Sequence, residues 1–321
     1  MSYKKVRLNH ISLKSLEVGH VYQYPIFYKT NNIFTKLINT NEKYSQDTEN
    51  TIKTEKITDV YVLLKDYDQY EIDTQEYLTI LVNTADVSIK KKFEIVQDMT
   101  ADAMNNLFNG EVNTKRITRV NKILDDTIDI ILHEQSSITA MLDVTSYDYY
   151  TYTHCVNVSL YSLGFGAYLN FTREQLKVLM KAAILHDLGK KNVPNEIVNK
   201  NGKLTDTEFT IMKNHPTFSV NILKKLGEDN SLLFDIIEQH HEKLDGSGYP
   251  YGLKSDDINI YSQILAITDI FDALTTKRSY KEALKSYEAL EIMKNNMSNE
   301  LNKDLLKEFI CFLSDKKNKK N

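Results

Sequence analysis

Through most of the chain, apolar residues recur every three or four positions, and this spacing predicts amphipathic helices. Two long helices are expected over about 85–109 and 117–131, because Gly110 interrupts a periodic pattern that then resumes. A third is expected over about 260–275, where one apolar face is formed by Ile264, Ile267, Phe271 and Leu274. Further helices are expected around 147–170 and 233–241, and over about 286–296 and 300–313. Another helix is expected to end at Gly189, and one more to begin after a capping box formed by Thr205 and Glu208.

The first part of the chain has a different residue composition. Residues 21–28 and 60–64 are rich in β-branched and aromatic side chains, a composition that is typical of strands. An asparagine pair, Asn31-Asn32, follows the first run and predicts a turn. This region is therefore expected to form a small α+β module, and no motif in it points to chemistry.

These patterns predict a mainly α fold in three segments. They are a small α+β accessory domain at 1–82, a helical linker at 83–146 and an all-helical domain at 147–321. The apolar stripes of the linker helices have two possible partners. They either pack against the domain that follows, or pair with a second subunit to form a homodimer through helices 85–145.

Composition narrows the class of protein. The hydrophobic share of 41% is ordinary for a soluble protein, and the formal net charge of -4 gives no overall attraction to nucleic acid or to an anionic membrane. No run approaches the roughly eighteen apolar residues of a membrane span. We therefore expect a cytoplasmic protein with no nucleic-acid partner and no membrane span. Both cysteines, Cys155 and Cys311, lie in apolar helical patterns and are expected to be buried free thiols.

The placement of histidine is the feature that points to chemistry. The chain has only eight histidines, and five of them fall, with two aspartates, beside apolar runs of the predicted helical domain. One histidine in such a place is usually a hydrogen-bonded core residue. Seven donors together favour a metal centre. The candidate ligands are His154, His186, Asp187, His215, His240, His241 and Asp269.

Five imidazoles and two carboxylates exceed the needs of one tetrahedral site, and they suit two six-coordinate ions such as iron or manganese. Asp187 directly follows a histidine ligand and is expected to bridge the ions. The simplest partition gives one ion His154, His186, Asp187 and Asp269, and the other Asp187, His215, His240 and His241. Two such ions activate water for attack on phosphorus, so the expected reaction is metal-assisted phosphoester hydrolysis.

Three cations near these residues are candidates for phosphate binding. Lys190 lies three residues beyond the expected bridge and could neutralise a phosphate oxygen. Arg278 offers a planar fork with Lys281 beside it, although the same pair equally fits an ordinary solvated surface. Asp272 lies one helical turn beyond the last candidate ligand and is expected to orient a ligand histidine.

Four stretches resemble the HD-GYP family of bacterial signalling enzymes, which are cyclic di-GMP phosphodiesterases. They are HDLGK at 186–190, His215-Pro216, HHEKLDGSGYP at 240–250 and DIFDALTTKRSYKEA at 269–283. The resemblance implies an all-helical HD-superfamily domain that hydrolyses cyclic di-GMP to pGpG and/or GMP with a metal-bridged hydroxide. It implies the same seven ligands, a catalytic role for Asp187 and Lys190, and substrate contacts by Lys190, Tyr249, Arg278 and Lys281. It also implies that diguanylate cyclases (GGDEF proteins) are partners.

Some members of this family carry a glutamate one turn before the first histidine, and it supports a third ion. Tyr150 stands there in this chain, so we expect two divalent ions, iron or manganese. Residues 8–64 resemble a small accessory domain that often precedes HD-GYP domains. Two alternatives remain open: a non-catalytic receptor or adaptor that binds cyclic di-GMP or diguanylate cyclases, and a hydrolase of another cyclic dinucleotide or of a mononucleotide.

Overall fold

The computed structural model describes residues 8–31, 33–133, 140–142, 151–277 and 283–318. The chain forms two compact units, Met1–Ala103 and Met104–Asn321. The boundary between them falls inside a long helix, Ile89–Asn109. The division into three segments at residues 82 and 146 stays a prediction.

An antiparallel sheet of four strands lies at the centre of the first unit. The strands of this unit are β1 (Leu8–Ile11), β2 (Val21–Tyr22), β3 (Ile26–Thr30), β4 (Ile33–Ile38), β5 (Glu42–Lys43) and β6 (Val60–Leu63). The main sheet has the order β1-β6-β3-β4, and β2 pairs with β5. The turn between β3 and β4 contains Asn31 at a φ of 49°, a conformation that asparagine tolerates.

The core of the first unit follows from the alternation of side chains along its strands. In β6 the buried and partly exposed positions alternate, because successive side chains of a strand point to opposite faces. The buried side joins one hydrophobic cluster with residues of α1 (Gln46–Glu55) and α2 (Tyr67–Asn83). Members of this cluster include Ile11, Ile26, Ile52, Val60, Val62, Tyr67 and Tyr70. The predicted α+β module is confirmed.

The rest of the described chain is helical. Its helices are α3 (Ile89–Asn109), α4 (Thr114–His133), α5 (Thr151–Tyr168), α6 (Arg173–Leu185), α7 (Asn195–Val198), α8 (Asp206–Met212), α9 (His215–Lys225), α10 (Ser231–Gln239), α11 (Ile260–Thr275), α12 (Ser286–Asn296) and α13 (Lys303–Asn318). The predicted capping box of Thr205 and Glu208 opens α8, and Pro216 stands in the first turn of α9. Within the described ranges, no helix is long and apolar enough to cross a membrane. The mainly α fold is confirmed.

The end of α6 differs from the prediction. The helix ends at Leu185 rather than at Gly189, and the chain continues into a 3-10 turn, Leu188–Asn192. The carbonyl of His186 instead accepts a hydrogen bond of 2.7 Å from the Ser219 hydroxyl on α9. A partner from another helix therefore satisfies this backbone group where the α-helix stops.

The helix α4 packs against α6 within the second unit. Its buried stripe includes Ile117, Val120, Leu124 and Ile128. At the edge of the stripe, Lys177 lies 2.8 Å from Asp125, and Arg173 forms an ion pair with Asp129. Of the two partners expected for the linker helices, α4 therefore packs against the domain that follows it. The homodimer stays a prediction.

A cluster of aromatic rings joins α5, α11 and α13. The ring of Phe309 is fully buried, and its centroid lies 5.1 Å from that of Phe165 and 5.2 Å from that of Phe271, in edge-to-face geometry. Cys311 follows two residues later on α13, roughly 200° around the helix from Phe309, and is exposed. The prediction of a buried thiol is therefore wrong for Cys311, while Cys155 is buried as expected.

We expect Phe309→Ala to lower the free energy of unfolding by about 3–5 kcal/mol, because it leaves a cavity among rings that hold three helices together. Denaturant unfolding followed by circular dichroism measures this change. Tyr287→Ala is the matched control, because Tyr287 is 73% exposed, and it should change stability by no more than about 0.5 kcal/mol. Equal effects of the two substitutions would show that the aromatic cluster does not support the fold.

Candidate metal centre

Five helices of the second unit bring the seven predicted ligand residues into one buried space. His154 lies on α5, His186 and Asp187 follow α6, His215 begins α9, His240 and His241 follow α10, and Asp269 lies on α11. All of them except His241 are buried, and the side chain of His241 is 28% exposed. The five helices thus surround a polar interior.

Six of the seven predicted ligand residues form two sets. Within each set, one atom per residue lies within 4.8 Å of the others. One set is His154, His186 and Asp269, and the other is His215, His240 and His241.

The carboxylate of Asp187 lies between the two sets. Its Oδ2 atom is 3.9 Å from Nε2 of His154 and 3.5 Å from Nε2 of His186. Its Oδ1 atom is 3.2 Å from Nε2 of His215. One oxygen therefore faces each set, and the structure brings all seven predicted residues together.

Hydrogen bonds on the far side of the rings orient the histidines. The Nδ1 atoms of His186, His215 and His240 lie 2.6–2.8 Å from the backbone carbonyl three residues earlier. A neutral ring that donates from Nδ1 carries its free lone pair on Nε2. The Nε2 atoms of these rings are thereby prepared to accept a cation in the space they share.

His154 is oriented by a carboxylate instead. Its Nδ1 atom lies 2.7 Å from Oδ2 of Asp272. The other oxygen of Asp272 accepts hydrogen bonds from Asn157 at 2.9 Å and from Thr276 at 3.0 Å. The predicted contact between Asp272 and a candidate ligand histidine is therefore present, and its role in orienting a metal ligand stays a prediction.

Two atoms at the centre of this space test whether the residues fit a metal. Among the described residues, neither Nε2 of His186 nor Oδ1 of Asp187 has a hydrogen bond, although both residues are only 1% exposed. Nε2 of His215 lies 3.2 Å from Oδ1, but a ring that donates from Nδ1 has no proton there to give. Buried polar atoms in proteins are rarely left without a partner. Imidazole nitrogen and carboxylate oxygen are also the donors that iron, manganese and zinc accept. The residues therefore fit a divalent cation.

The charges of the site point the same way. Burial opposes ionisation of Asp187, but Lys190 and the nearby histidines outweigh it, and the pKa of this carboxyl is held well below its usual range. Burial also opposes ionisation of Asp269, and the hydrogen bond with His154 again lowers its pKa. Burial and neighbouring histidines lower the pKa of His240, and that of His241 to about 3. At neutral pH the two carboxylates are charged and these two rings are neutral.

The turn that carries His186 and Asp187 is held tightly against α9. The Ser219 hydroxyl accepts a hydrogen bond of 2.7 Å from the backbone N–H of Gly189 and donates to the His186 carbonyl. A Cβ atom at Gly189 would lie 2.0 Å from the His215 carbonyl oxygen, so only glycine fits there. The sequence gives no sign of the role of Ser219, because its partners lie 30 and 33 residues earlier in the chain.

The loop after α10 depends on Glu242, a second residue whose role was not predicted from the sequence. Its buried carboxylate accepts hydrogen bonds from the backbone N–H groups of Tyr251, Gly252 and Leu253 at 2.7–3.1 Å. Gly248 packs so closely that a Cβ atom would lie 2.5 Å from the Cα atom of Glu242. The signal that could have identified Glu242 is its position directly after the histidine pair in the HHEKLDGSGYP stretch.

The residues predicted to bind substrate divide into two groups. The ring centroid of Tyr249 lies 4.7 Å from that of His241, and Nζ of Lys190 lies 2.5 Å from Oδ2 of Asp187. Both therefore border the candidate metal centre. Arg278 and Lys281 lie outside the described residues, so their roles stay predictions. Tyr150, on which the expectation of two ions depends, also lies outside them.

Comparison with known proteins identifies the family. The sequence model of the HD domain family matches residues 120–305, and the chain belongs to this family. The solved structure of a HDG"Y"P protein from Bdellovibrio bacteriovorus has the same fold, with a TM-score of 0.73 and 17% identity, covering 96% of this chain and 100% of that one. The family indicated by the sequence motifs is confirmed.

Two curated relatives match about half of this chain more closely in sequence. A cyclic di-GMP phosphodiesterase of Pseudomonas aeruginosa is 32% identical over 171 residues, which are 53% of this chain and 41% of the relative. The 3'3'-cGAMP-specific phosphodiesterase 3 of Vibrio cholerae is 36% identical over 168 residues, which are 52% of this chain and 35% of the relative. The chain spans less than half the length of either relative.

We expect Asp272→Asn to weaken divalent-metal binding by about 10–100-fold, because the variant loses the charged acceptor that orients His154. Competition with a chromophoric chelator measures the affinity. Asp235→Asn is the matched control, since Asp235 is an exposed residue of α10, and it should bind metal as the unmodified protein does. Unchanged affinity in Asp272→Asn would contradict an orienting role for Asp272.

We expect the metal-free protein to lose stability as the pH falls from 7 to 4. The pKa values of His240 and His241 are lowered in the folded state, so below about pH 6.5 the unfolded chain binds protons that the folded chain does not. The lowered pKa values of Asp187 and Asp269 act in the same direction, and their contribution is lost as the pH falls below the unfolded value of about 3.9. Thermal melts in the presence of a chelator measure this dependence.

The control for this prediction uses two histidine substitutions. His241→Gln should reduce the loss of thermal stability between pH 7 and pH 4, because it removes one of the buried titrating rings. His133→Gln should leave the loss unchanged, because His133 is exposed at the end of α4. A melting temperature that does not change between pH 7 and pH 4 would contradict the prediction.

Proposed function

We propose that this chain is a metal-dependent phosphodiesterase that hydrolyses cyclic di-GMP to pGpG and/or GMP. The observation that carries the proposal is the position of Asp187, with one carboxylate oxygen facing each set of candidate ligands. A carboxylate in this place suits a pair of ions rather than one. We assign the centre two divalent ions, iron or manganese.

The proposed partition of ligands follows the two sets. One ion would be held by His154, His186, Asp187 and Asp269, and the other by Asp187, His215, His240 and His241. Bound there, divalent ions supply Lewis acidity toward a phosphate ester and lower the pKa of water.

The protein's own side chains around the centre would bind and orient the substrate. The Lys190 side chain is 19% exposed, so its ammonium group is accessible to a phosphate oxygen beside Asp187. Burial raises the pKa of the Tyr249 hydroxyl, which therefore keeps its proton and is able to donate a hydrogen bond to phosphate. Arg278 and Lys281 are proposed for a second phosphate on the basis of the sequence alone.

Two kinds of relatives support a cyclic dinucleotide as the substrate. The Pseudomonas aeruginosa relative is named for cyclic di-GMP, and the Vibrio cholerae relative for 3'3'-cGAMP. We keep 3'3'-cGAMP as the second candidate substrate, because that relative is similarly close to this chain. A cytoplasmic location and binding of GGDEF proteins belong to the same proposal.

The decisive experiment incubates the full chain, purified without air and analysed for metal content, with cyclic di-GMP and with 3'3'-cGAMP. We expect about two divalent ions per chain, and pGpG or GMP as the product separated by chromatography. Asp187→Ala should abolish turnover and lower the metal content, because it removes the carboxylate between the two sets. Asp235→Ala, at the exposed position on α10, should keep both properties.

Each other outcome has a defined meaning. Turnover of 3'3'-cGAMP alone would favour the second candidate substrate. Tight binding of cyclic di-GMP by the metal-loaded protein without product would favour a non-catalytic receptor or adaptor. Full activity in Asp187→Ala would contradict the bridging assignment.

A further inference from the structure

The buried thiol of Cys155 lies beside the candidate metal centre. Cys155 directly follows His154 on α5 and is 0% exposed. Its sulfur lies within 4.8 Å of a ring nitrogen of His186 and of a carboxylate oxygen of Asp187. Neither the sequence motifs nor the similarity to known proteins gives this residue a role.

The neighbours of this sulfur point to a ligand. His186 and Asp187 are each only 1% exposed, and Nε2 of His186 forms no hydrogen bond with the described residues. A free cysteine used only for packing behaves as a small apolar side chain. Here the sulfur instead lies beside an imidazole and an ionised carboxylate that are themselves suited to hold a cation.

The two sets of candidate ligands differ in whether a sulfur atom lies beside them. The set of His154, His186 and Asp269 lies on the side of Asp187 where Cys155 is found, because His186 belongs to both groups. In the described part of the chain, the set of His215, His240 and His241 is made of nitrogen donors alone. A soft donor is therefore available on one side of the centre.

We propose that Cys155 is an eighth protein ligand of the centre and binds, as a thiolate, the ion shared by His154, His186, Asp187 and Asp269. This inference rests on the metal centre of the proposed function. On binding, the S–H bond breaks and its proton passes to solvent, while a sulfur lone pair forms the bond to the ion, and no electron is transferred. A thiolate makes this side of the centre favour iron or zinc over manganese.

X-ray absorption of the zinc-loaded full chain tests the proposal directly. A sulfur ligand gives a scattering shell at about 2.3 Å, whereas nitrogen and oxygen ligands give a shell at about 2.0–2.2 Å. We expect both shells in the unmodified protein and loss of the sulfur shell in Cys155→Ser. Cys311→Ser is the matched control, because Cys311 is the only other cysteine and is exposed, and it should keep the sulfur shell.

Spectra of the cobalt-loaded protein give an independent measurement. A sulfur-to-cobalt charge-transfer band is expected in the unmodified protein and in Cys311→Ser, and it should be lost in Cys155→Ser. The Cys311→Ser protein decides the question even where Cys155→Ser does not fold, because Cys155 is then the only cysteine present.

The outcomes separate this proposal from the one on which it rests. Nitrogen and oxygen shells without sulfur would overturn the role of Cys155 and leave the metal centre in place. A sulfur shell that disappears in Cys311→Ser would also overturn it. Failure of the unmodified protein to bind zinc or cobalt would overturn the metal centre and the cysteine ligand together.

Discussion

Buried negative charge is the constraint that governs the second unit. Asp187 is 1% exposed and Asp269 is 7% exposed, in a helical domain whose surrounding residues are largely apolar. Burying a carboxylate is costly unless positive charge or hydrogen-bond donors lie close to it. Lys190 and the imidazoles supply part of this compensation, and the atoms that still lack partners are placed to face a cation. The helices α5, α6, α9, α10 and α11 can be understood as the scaffold that holds this arrangement.

The candidate ligand side chains are held rigidly by hydrogen bonds on the side that faces away from the centre. Three imidazoles are fixed by the backbone carbonyl three residues earlier in the chain, and His154 is fixed by Asp272. Ser219 fixes the turn that carries His186 and Asp187, and Glu242 fixes the loop that follows His241. Because these contacts belong to the packing of the domain, the donor atoms are held near their binding positions before a cation arrives.

His241 is the most exposed of the seven candidate ligands. Its side chain is 28% exposed, whereas those of His154, His186 and His215 are 1–2% exposed. The ring of Tyr249 lies against that of His241, and Cys155 is fully buried. A phosphate ester would therefore approach past His241.

The helical class and the identity of the candidate ligands could be predicted from the sequence, whereas the mutual arrangement of those ligands could not. Apolar periodicity placed the helix over 260–275, because the faces of a helix repeat at a fixed interval. The histidines and aspartates were recognisable because packing alone rarely places seven metal-binding side chains beside apolar runs. The early end of α6 and the exposure of Cys311 depend on what the neighbouring helices cover. Asp272 meets His154 across 118 positions, and Ser219 meets the turn after α6 across about 30. The angles at which the five helices pack determine these contacts. They also place Asp187 between the two sets of candidate ligands and the Cys155 sulfur beside one of those sets. Such packing angles leave no periodic signal in the sequence.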